Sequence, residues 1–432
     1  MKYYLLPAFL LYIFTMSAYA QTGSVIQTPP LTKGSPAEVG MSEERLSLID
    51  EMAADAINGG QVPGLVALVA RNGKIVYHKA FGSADASESL PLQNDNIFRI
   101  ASQTKAITST AVMMLWEQAQ FRLDEPISNY IPEFAGAGVL DTFNEGDSSY
   151  TTVPADEAIT IRHLLTHTSG IGYGIIDGDD RMRKIYQKAG IVDLYTLDDI
   201  TIEENIKKLA DMPLHHNPGE RFTYSLGLDV LGYFIEVVSG QPFDEYLREH
   251  IFDPLTMDDT WFYLPNSYQD RLVDVQTQDV AGAWITYTGT DYYDASYPVN
   301  GAQTFFSGGA GLSSTAEDYA KFLQMYLNGG EYNGTRLLSR TTVDFMMANQ
   351  IDHITGTSDP SYGLAFGVNS EDAFVSGTGS EGTFQWGGYF NTSYWAEPDE
   401  QLIGIIMKQT RGDIGDQTSW KFRVLARQAI DD

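Results

Sequence analysis

Phe98-Arg99-Ile100-Ala101-Ser102-Gln103-Thr104-Lys105 is the stretch on which the reading of this 432-residue chain turns. It sets a serine and a lysine three residues apart at the start of a predicted helix. Residues at i and i+3 share a helix face, so the Ser102 hydroxyl and the Lys105 amine are within reach of each other. A serine hydroxyl is a poor nucleophile until a neighbour takes its proton. An ammonium cannot take it. A lysine that is desolvated and near a helix N-terminus sheds its own proton more readily, because both effects disfavour the charged form. The Ser102 backbone N–H, at the same helix start, is placed to face a developing oxyanion. The spacing alone also fits an N-cap serine beside a solvated lysine, so the surrounding sequence has to decide.

Upstream, two apolar runs at 65–70 and 74–80 are separated by Arg71-Asn72-Gly73, and Asn-Gly between such runs predicts a hairpin. Before them, Ser42 is a good N-cap with Glu43 and Glu44 at the positive helix end. Leu46, Ile49, Met52, Ala53 and Ile57 then recur at helical spacing. Residues 21–40, with Pro29, Pro30, Gly34, Pro36 and Gly40, read as an extended lead-in. Downstream, residues 104–118 predict a helix with a buried face at Ile107, Ala111, Met114 and Leu115. Further helices are predicted at 226–240 and 243–251, with loops at 134–158, 172–200 and 264–308. The last third predicts strands at 362–368, 372–376, 383–388, 391–396 and 401–407, then a helix over 418–430. A sheet drawn from both chain ends around a helical insertion predicts an α/β (α+β) fold, mainly antiparallel and flanked by helices, with an all-α lobe inserted. The sheet lobe spans about 41–100 and 300–428, the helical lobe about 101–299, and the cleft between them is the expected site.

Other stretches extend the pattern. They include Leu164-Leu165-Thr166-His167-Thr168-Ser169-Gly170, Pro218-Gly219-Glu220-Arg221-Phe222-Thr223-Tyr224-Ser225-Leu226, Gly311-Leu312-Ser313-Ser314-Thr315 and Gln385-Trp386-Gly387-Gly388-Tyr389. In this order and spacing the chain resembles the penicillin-binding-protein-like serine hydrolases: class C β-lactamases, D,D-peptidases and family VIII carboxylesterases. The resemblance covers about residues 41–428 and implies a β-lactamase/transpeptidase-like fold. It implies that Ser102 is acylated, that Lys105 is its partner and that Tyr224 is a proton relay; which of Lys105 and Tyr224 takes the serine proton stays open. Leu226 stands where the family's second motif has Asn. Trp386-Gly387-Gly388 stands where β-lactam-active relatives have Lys-Thr-Gly, and an indole cannot replace an ammonium in docking a carboxylate. The Trp-Gly-Gly version looks like that of the esterases. The resemblance further implies that the Tyr389 N–H joins that of Ser102 as oxyanion donor. Gly387 and Gly388 would let substrate approach the strand edge, and Tyr173 would line the pocket near Ser102. The expected function is hydrolysis of small esters through an acyl-enzyme. The alternative is β-lactamase, D,D-peptidase or D-amino-acid amidase activity on cell-wall-type substrates, with a non-catalytic binding relative behind both.

The remaining features mostly narrow the field. The chain carries 57 acidic and 27 basic residues, a net charge of −30. That leaves no basic footprint for nucleic acid or an anionic membrane. Cysteine is absent, which removes disulfides, thiolate metal sites and a cysteine nucleophile. The neighbours His215 and His216 point apart in most conformations, so no metal site is expected, and no cofactor is implied because the serine chemistry runs on side chains alone. Gly377-Thr378-Gly379-Ser380-Glu381-Gly382 fits a dinucleotide-loop pattern but runs into a strand rather than a helix, which makes it a turn. His167 beside Ser169 suggests a Ser-His pair, but no G-x-S-x-G elbow occurs, so His167 is read as structural. The first twenty residues pair Lys2 with an apolar run that ends in Ala18-Tyr19-Ala20, a pattern of signal cleavage after Ala20. The expected mature protein is periplasmic or secreted, with no membrane anchor and a small ester or amide as its partner.

Overall fold

The chain is described by a computed structural model over residues 24–290, 292–354, 361–370, 377–412 and 415–432. The segment read as a signal peptide and the strand expected at 372–376 lie outside these residues.

A seven-stranded sheet organises the molecule. It contains β1 (Thr32–Lys33), β2 (Gly64–Arg71), β3 (Lys74–Gly82), β4 (Gly367–Val368), β5 (Phe384–Gly387), β6 (Ser393–Glu397) and β7 (Leu402–Met407). Their order is β1-β3-β2-β7-β6-β5-β4, with only the β1–β3 pair parallel. Sequence-remote β2 and β7 are neighbours, with Leu68 opposite Ile405. Asn72 and Gly73, both at positive φ, close the β2–β3 hairpin. β2 is buried along its whole length, which is why it reads as an unbroken apolar run rather than an alternating one. Truncating Leu68 to Ala there would cost about 2–5 kcal/mol.

Helices cover both faces. On one, α1 (Glu43–Asn58) packs against the C-terminal helix α5 (Thr418–Gln428). Ser42 caps α1 by accepting the Arg45 N–H. On the other, α4 (Ala316–Leu327) lies against β2 and β7. Behind it α2 (Thr104–Glu117) and α3 (Gly227–Ser239) cross in the largest core cluster.

Five expectations change. The stretch 172–200 is not only loop, because Asp180–Ala189 is helical, capped by the Asp179 side chain accepting the Arg181 N–H. α2 does not bury one face: every residue from Thr104 to Leu115 is buried. Its polar side chains meet this by donating to carbonyls, Thr108 to Gly308 at 2.7 Å, Ser109 to Leu364 at 2.9 Å and Thr110 to Ala106 at 2.8 Å. The stretch 134–158 is not only loop, because Gly138–Phe143 pairs antiparallel with Tyr150–Pro154. Its Thr, Val and Tyr residues suit a strand, and the turn closes through Asn144 N–H to Ser149 O. Likewise Gln276–Gln278 and Trp284–Thr286 form a small sheet with Thr410–Arg411. Of the strand expected at 362–368 only Gly367–Val368 joins the large sheet, because the chain turns back at Ala365, φ +67°, and Tyr362 bridges to Gly367 instead.

Candidate active site

Ser102 lies on a one-turn 3-10 helix, Ala101–Gln103, that runs straight into α2. Ala101 adopts φ +48°, a conformation disfavoured for a residue with a Cβ. The short strand Phe98–Arg99 leads in, pinned to Ser313–Ser314. Ser102 is partly exposed, whereas Lys105 is fully buried one turn below. The Lys105 Nζ contacts Ser102 Oγ at 3.3 Å, Tyr173 Oη at 3.3 Å and the Gly309 carbonyl at 2.7 Å. It also sits 4.7 Å from the centre of the Tyr224 ring. A carbonyl can only accept, so one N–H is committed to Gly309. A neutral amine in this position still has its lone pair to offer the Ser102 hydroxyl.

The structure brings Tyr224, Tyr173 and Trp386 to the same place. The rings of Tyr173 and Tyr224 stack at 5.4 Å and 13°. The Trp386 Nε1–H donates to Tyr224 Oη at 3.5 Å. Among the described residues the hydrogen bond to Ser102 Oγ comes from Lys105, not from Tyr224. Tyr173, expected to line the substrate pocket, is 1 % exposed and instead partners Lys105. Burial, with Tyr224 and Asp229 nearby, holds its phenol well above the ordinary range, so Tyr173 stays neutral.

Gly388 also departs from expectation. A Cβ there would lie 2.6 Å from the Ile100 carbonyl oxygen and 2.2 Å from Thr392 Oγ1. The glycine is needed so that β5 can approach the chain two residues before Ser102, not to leave room for substrate. Gly387 is less constrained, its nearest neighbour being Thr392 O at 3.3 Å.

Residues that the sequence reading passed over or read as merely structural hold these groups. His167, at φ +55°, accepts the Ser225 N–H on Nδ1 at 3.1 Å and lies 4.6 Å from the Tyr224 ring. That bond leaves the proton of a neutral ring on Nε2. Burial, reinforced by Lys105, holds the His167 pKa well below its ordinary value, consistent with a neutral ring. Asp229, buried on α3, accepts from Ser307 Oγ at 2.6 Å and from the Gly309 N–H at 3.3 Å. Its pKa is raised by burial and drawn back by Ser307 and Lys105. The signal for it was a lone carboxylate inside the apolar run Leu228-Asp229-Val230-Leu231. His215 and His216 do diverge, the first pairing with Asp177 at 2.9 Å and the second with Thr223 at 2.8 Å. The glycine-rich segment at 377–382 leads into β5, as read.

The sequence pattern of the Beta-lactamase family matches residues 48–429. Esterase EstB of Burkholderia gladioli is 31 % identical over 381 residues, covering 84 % of this chain and 90 % of its own. The lovastatin esterase of Penicillium rubens is 29 % identical over 377 residues, 81 % of this chain and 89 % of its own. Among solved structures, EstCE1, described as a hydrolase with promiscuous acyltransferase activity, superposes with a TM-score of 0.73 at 26 % identity, over 90 % of this chain and 99 % of that one. With a family match over nearly the whole chain and esterases matched over most of their own length beside it, this chain belongs to the Beta-lactamase family and is a serine hydrolase with carboxylesterase-like relatives.

Proposed function

We propose that the protein is an exported hydrolase of small esters that works through an acyl-enzyme on Ser102. The observation that carries this reading is the buried Lys105 amine 3.3 Å from Ser102 Oγ. As the Ser102 oxygen bonds to the ester carbonyl carbon, its proton passes to Lys105 Nζ. The carbonyl oxygen becomes an oxyanion against the N–H groups of Ser102 and Tyr389. The bond to the alcohol breaks as a proton returns to its oxygen, with Tyr224 as the relay toward the leaving group. Water then attacks the acyl carbon along the same route in reverse, releasing the acid and restoring Ser102.

Trp386 supports esters over β-lactams. Its indole N–H is directed at Tyr224 Oη, and it supplies no positive charge where the second class of substrate would need one. The test is a parallel assay of p-nitrophenyl butyrate and nitrocefin with wild type and Ser102→Ala. Ester turnover that disappears in the mutant, and a wild-type mass increase of one butyryl group on the Ser102 peptide, are expected. Full ester turnover by Ser102→Ala would overturn the assignment, and strong nitrocefin turnover would move it to the β-lactamase side of the family. Export is tested on the native protein: mass spectrometry should find a mature N-terminus at Gln21.

A further inference from the structure

Asp177 is a buried carboxylate that no step of the reaction uses, its side chain 4 % exposed. It accepts three N–H groups: Oδ2 takes those of Tyr173 at 2.7 Å and His215 Nε2 at 2.9 Å, and Oδ1 takes that of Asp179 at 2.8 Å. A carboxylate only accepts, so His215 carries a proton on Nε2. Burying such a group is costly unless donors surround it. The donor that matters for the reaction is Tyr173, whose hydroxyl lies 3.3 Å from Lys105 Nζ and whose ring stacks on Tyr224.

The chain is shaped to admit this carboxylate. A Cβ on Gly172 would lie 2.7 Å from Asp177 Oδ2 and 3.1 Å from His215 Nε2, so the pair sits directly against the backbone that precedes Tyr173. His215 grips the same segment at a second point, its own N–H donating to Gly170 O at 2.7 Å. On the other side of Tyr173, Asp193 accepts the Ile175 N–H at 2.7 Å, and a Cβ on Gly174 would run into its carboxylate. Tyr173 is thus flanked by two carboxylates, and it is Asp177 that bonds its own N–H. The consequence falls on Lys105. Gly309 O takes one N–H of that amine at 2.7 Å and Tyr173 Oη receives a second at 3.3 Å, which turns the remaining position toward Ser102 Oγ. If Tyr173 drifts, the amine is free to turn away, and a misplacement of about 1 Å costs about 10²-fold in rate.

We infer that Asp177 and His215 are a positioning pair: they fix Tyr173 and, through it, direct the Lys105 amine at Ser102. The inference rests on the reading of Ser102 as the nucleophile that Lys105 serves. It is tested on the full-length protein with p-nitrophenyl butyrate. Asp177→Ala is expected to lower kcat by about 10²-fold while KM stays within about twofold of wild type. Asp177→Asn keeps an oxygen for the Tyr173 N–H and should recover most of the loss. His215→Ala removes one donor from Asp177 and should lower kcat roughly tenfold. His215→Gln, which keeps an N–H for Asp177, should recover part of that. Unchanged kcat in the alanine variants, or a loss carried by KM alone, overturns the inference. Equal losses in the alanine and the conservative variants do the same, because the hydrogen bonds would then not be what acts on Lys105. Where Asp177→Ala does not fold, the two His215 variants carry the test. Crystal structures of wild type and of the folded alanine variant separate this inference from the nucleophile assignment. In the variant, Tyr173 Oη is expected out of hydrogen-bond reach of Lys105 Nζ, and an unmoved contact overturns the pair's role even where Ser102→Ala is inactive. A broken contact together with full turnover by Ser102→Ala would support the pair and sink the nucleophile reading instead.

Discussion

The Gly309 carbonyl oxygen lies 2.7 Å from Lys105 Nζ, nearer than the Ser102 Oγ that Lys105 serves at 3.3 Å. The lysine is therefore positioned by a backbone carbonyl, and whatever fixes that carbonyl fixes the Lys105 amine. Asp229 does so through the Gly309 N–H and through Ser307, and a Cβ on Gly309 would lie 2.4 Å from Asp229 Oδ2. Asp229 is thus a positioning residue. Asp229→Ala is expected to lower kcat for p-nitrophenyl butyrate by about 10²-fold with little change in KM, the scale of a misplaced reacting group. Asp229→Asn, which keeps an acceptor at Oδ1, should restore a large part. A loss confined to KM would show that Asp229 shapes the binding surface instead.

Trp386 takes the place of a cation, yet its indole N–H still reaches Tyr224 Oη, at 3.5 Å. A bond that long contributes about 0.5–1 kcal/mol. Trp386→Phe should therefore reduce kcat/KM only a few-fold, while Tyr224→Phe, which removes the hydroxyl proposed as the relay, should reduce it by about 10²–10⁴-fold. Comparable losses in the two variants would mean that Trp386 binds substrate directly. Steady-state kinetics on one ester series distinguishes the cases.

The two glycines of the third motif should respond differently to a methyl group. At Gly388 the added carbon meets Ile100 O at 2.6 Å, and a backbone atom cannot turn aside. Gly388→Ala is expected to cost about 1–3 kcal/mol of stability and to displace the Ser102 turn, with a large fall in kcat. At Gly387 the nearest atom is 3.3 Å away, so Gly387→Ala should unfold close to wild type. Chemical denaturation of both variants checks the contrast; equal destabilisation would contradict it.

Much of this site was legible because local chemistry wrote it. Ser102 and Lys105 are one helical turn apart, and the β2–β3 hairpin is announced by Asn72-Gly73. Contacts made by backbone between distant segments left no comparable mark. Nothing near Gly309 in sequence announces that its carbonyl will receive Lys105, 204 residues away. Gly388 was readable as a place for close approach, but not as one filled by Ile100. Burial was also under-read: α2 carries Thr108, Ser109 and Thr110, which suggest a wet face, yet all three are satisfied by carbonyls inside the core. The pairing of Gly138–Phe143 with Tyr150–Pro154 was obscured by turn-forming residues on both sides.

Two of the stretches read as loops are joined by one buried carboxylate, Asp193. Asp193 Oδ2, in the 172–200 stretch, accepts the Ile175 N–H at 2.7 Å and the Tyr293 hydroxyl at 2.9 Å. Tyr293 belongs to the 264–308 stretch and packs edge-on against Tyr389. Burial raises the Asp193 pKa from its ordinary 3.8 to about 6, even though its hydrogen bonds pull the other way. An acid whose pKa is higher in the folded state holds a proton there that the unfolded chain has lost. Its presence therefore costs stability progressively as pH rises from about 4 to 6, and the cost is constant above that. The full shift corresponds to about 3 kcal/mol. Asp193→Asn keeps the acceptor that serves Ile175 and Tyr293 but cannot ionise. It is expected to be more stable than wild type at pH 7.5 by up to that amount, with the advantage vanishing at pH 3.5. Urea unfolding at the two pH values measures this directly. A mutant destabilised at pH 7.5 but not at pH 3.5 would mean that the charge itself, rather than the acceptor, holds the two stretches together.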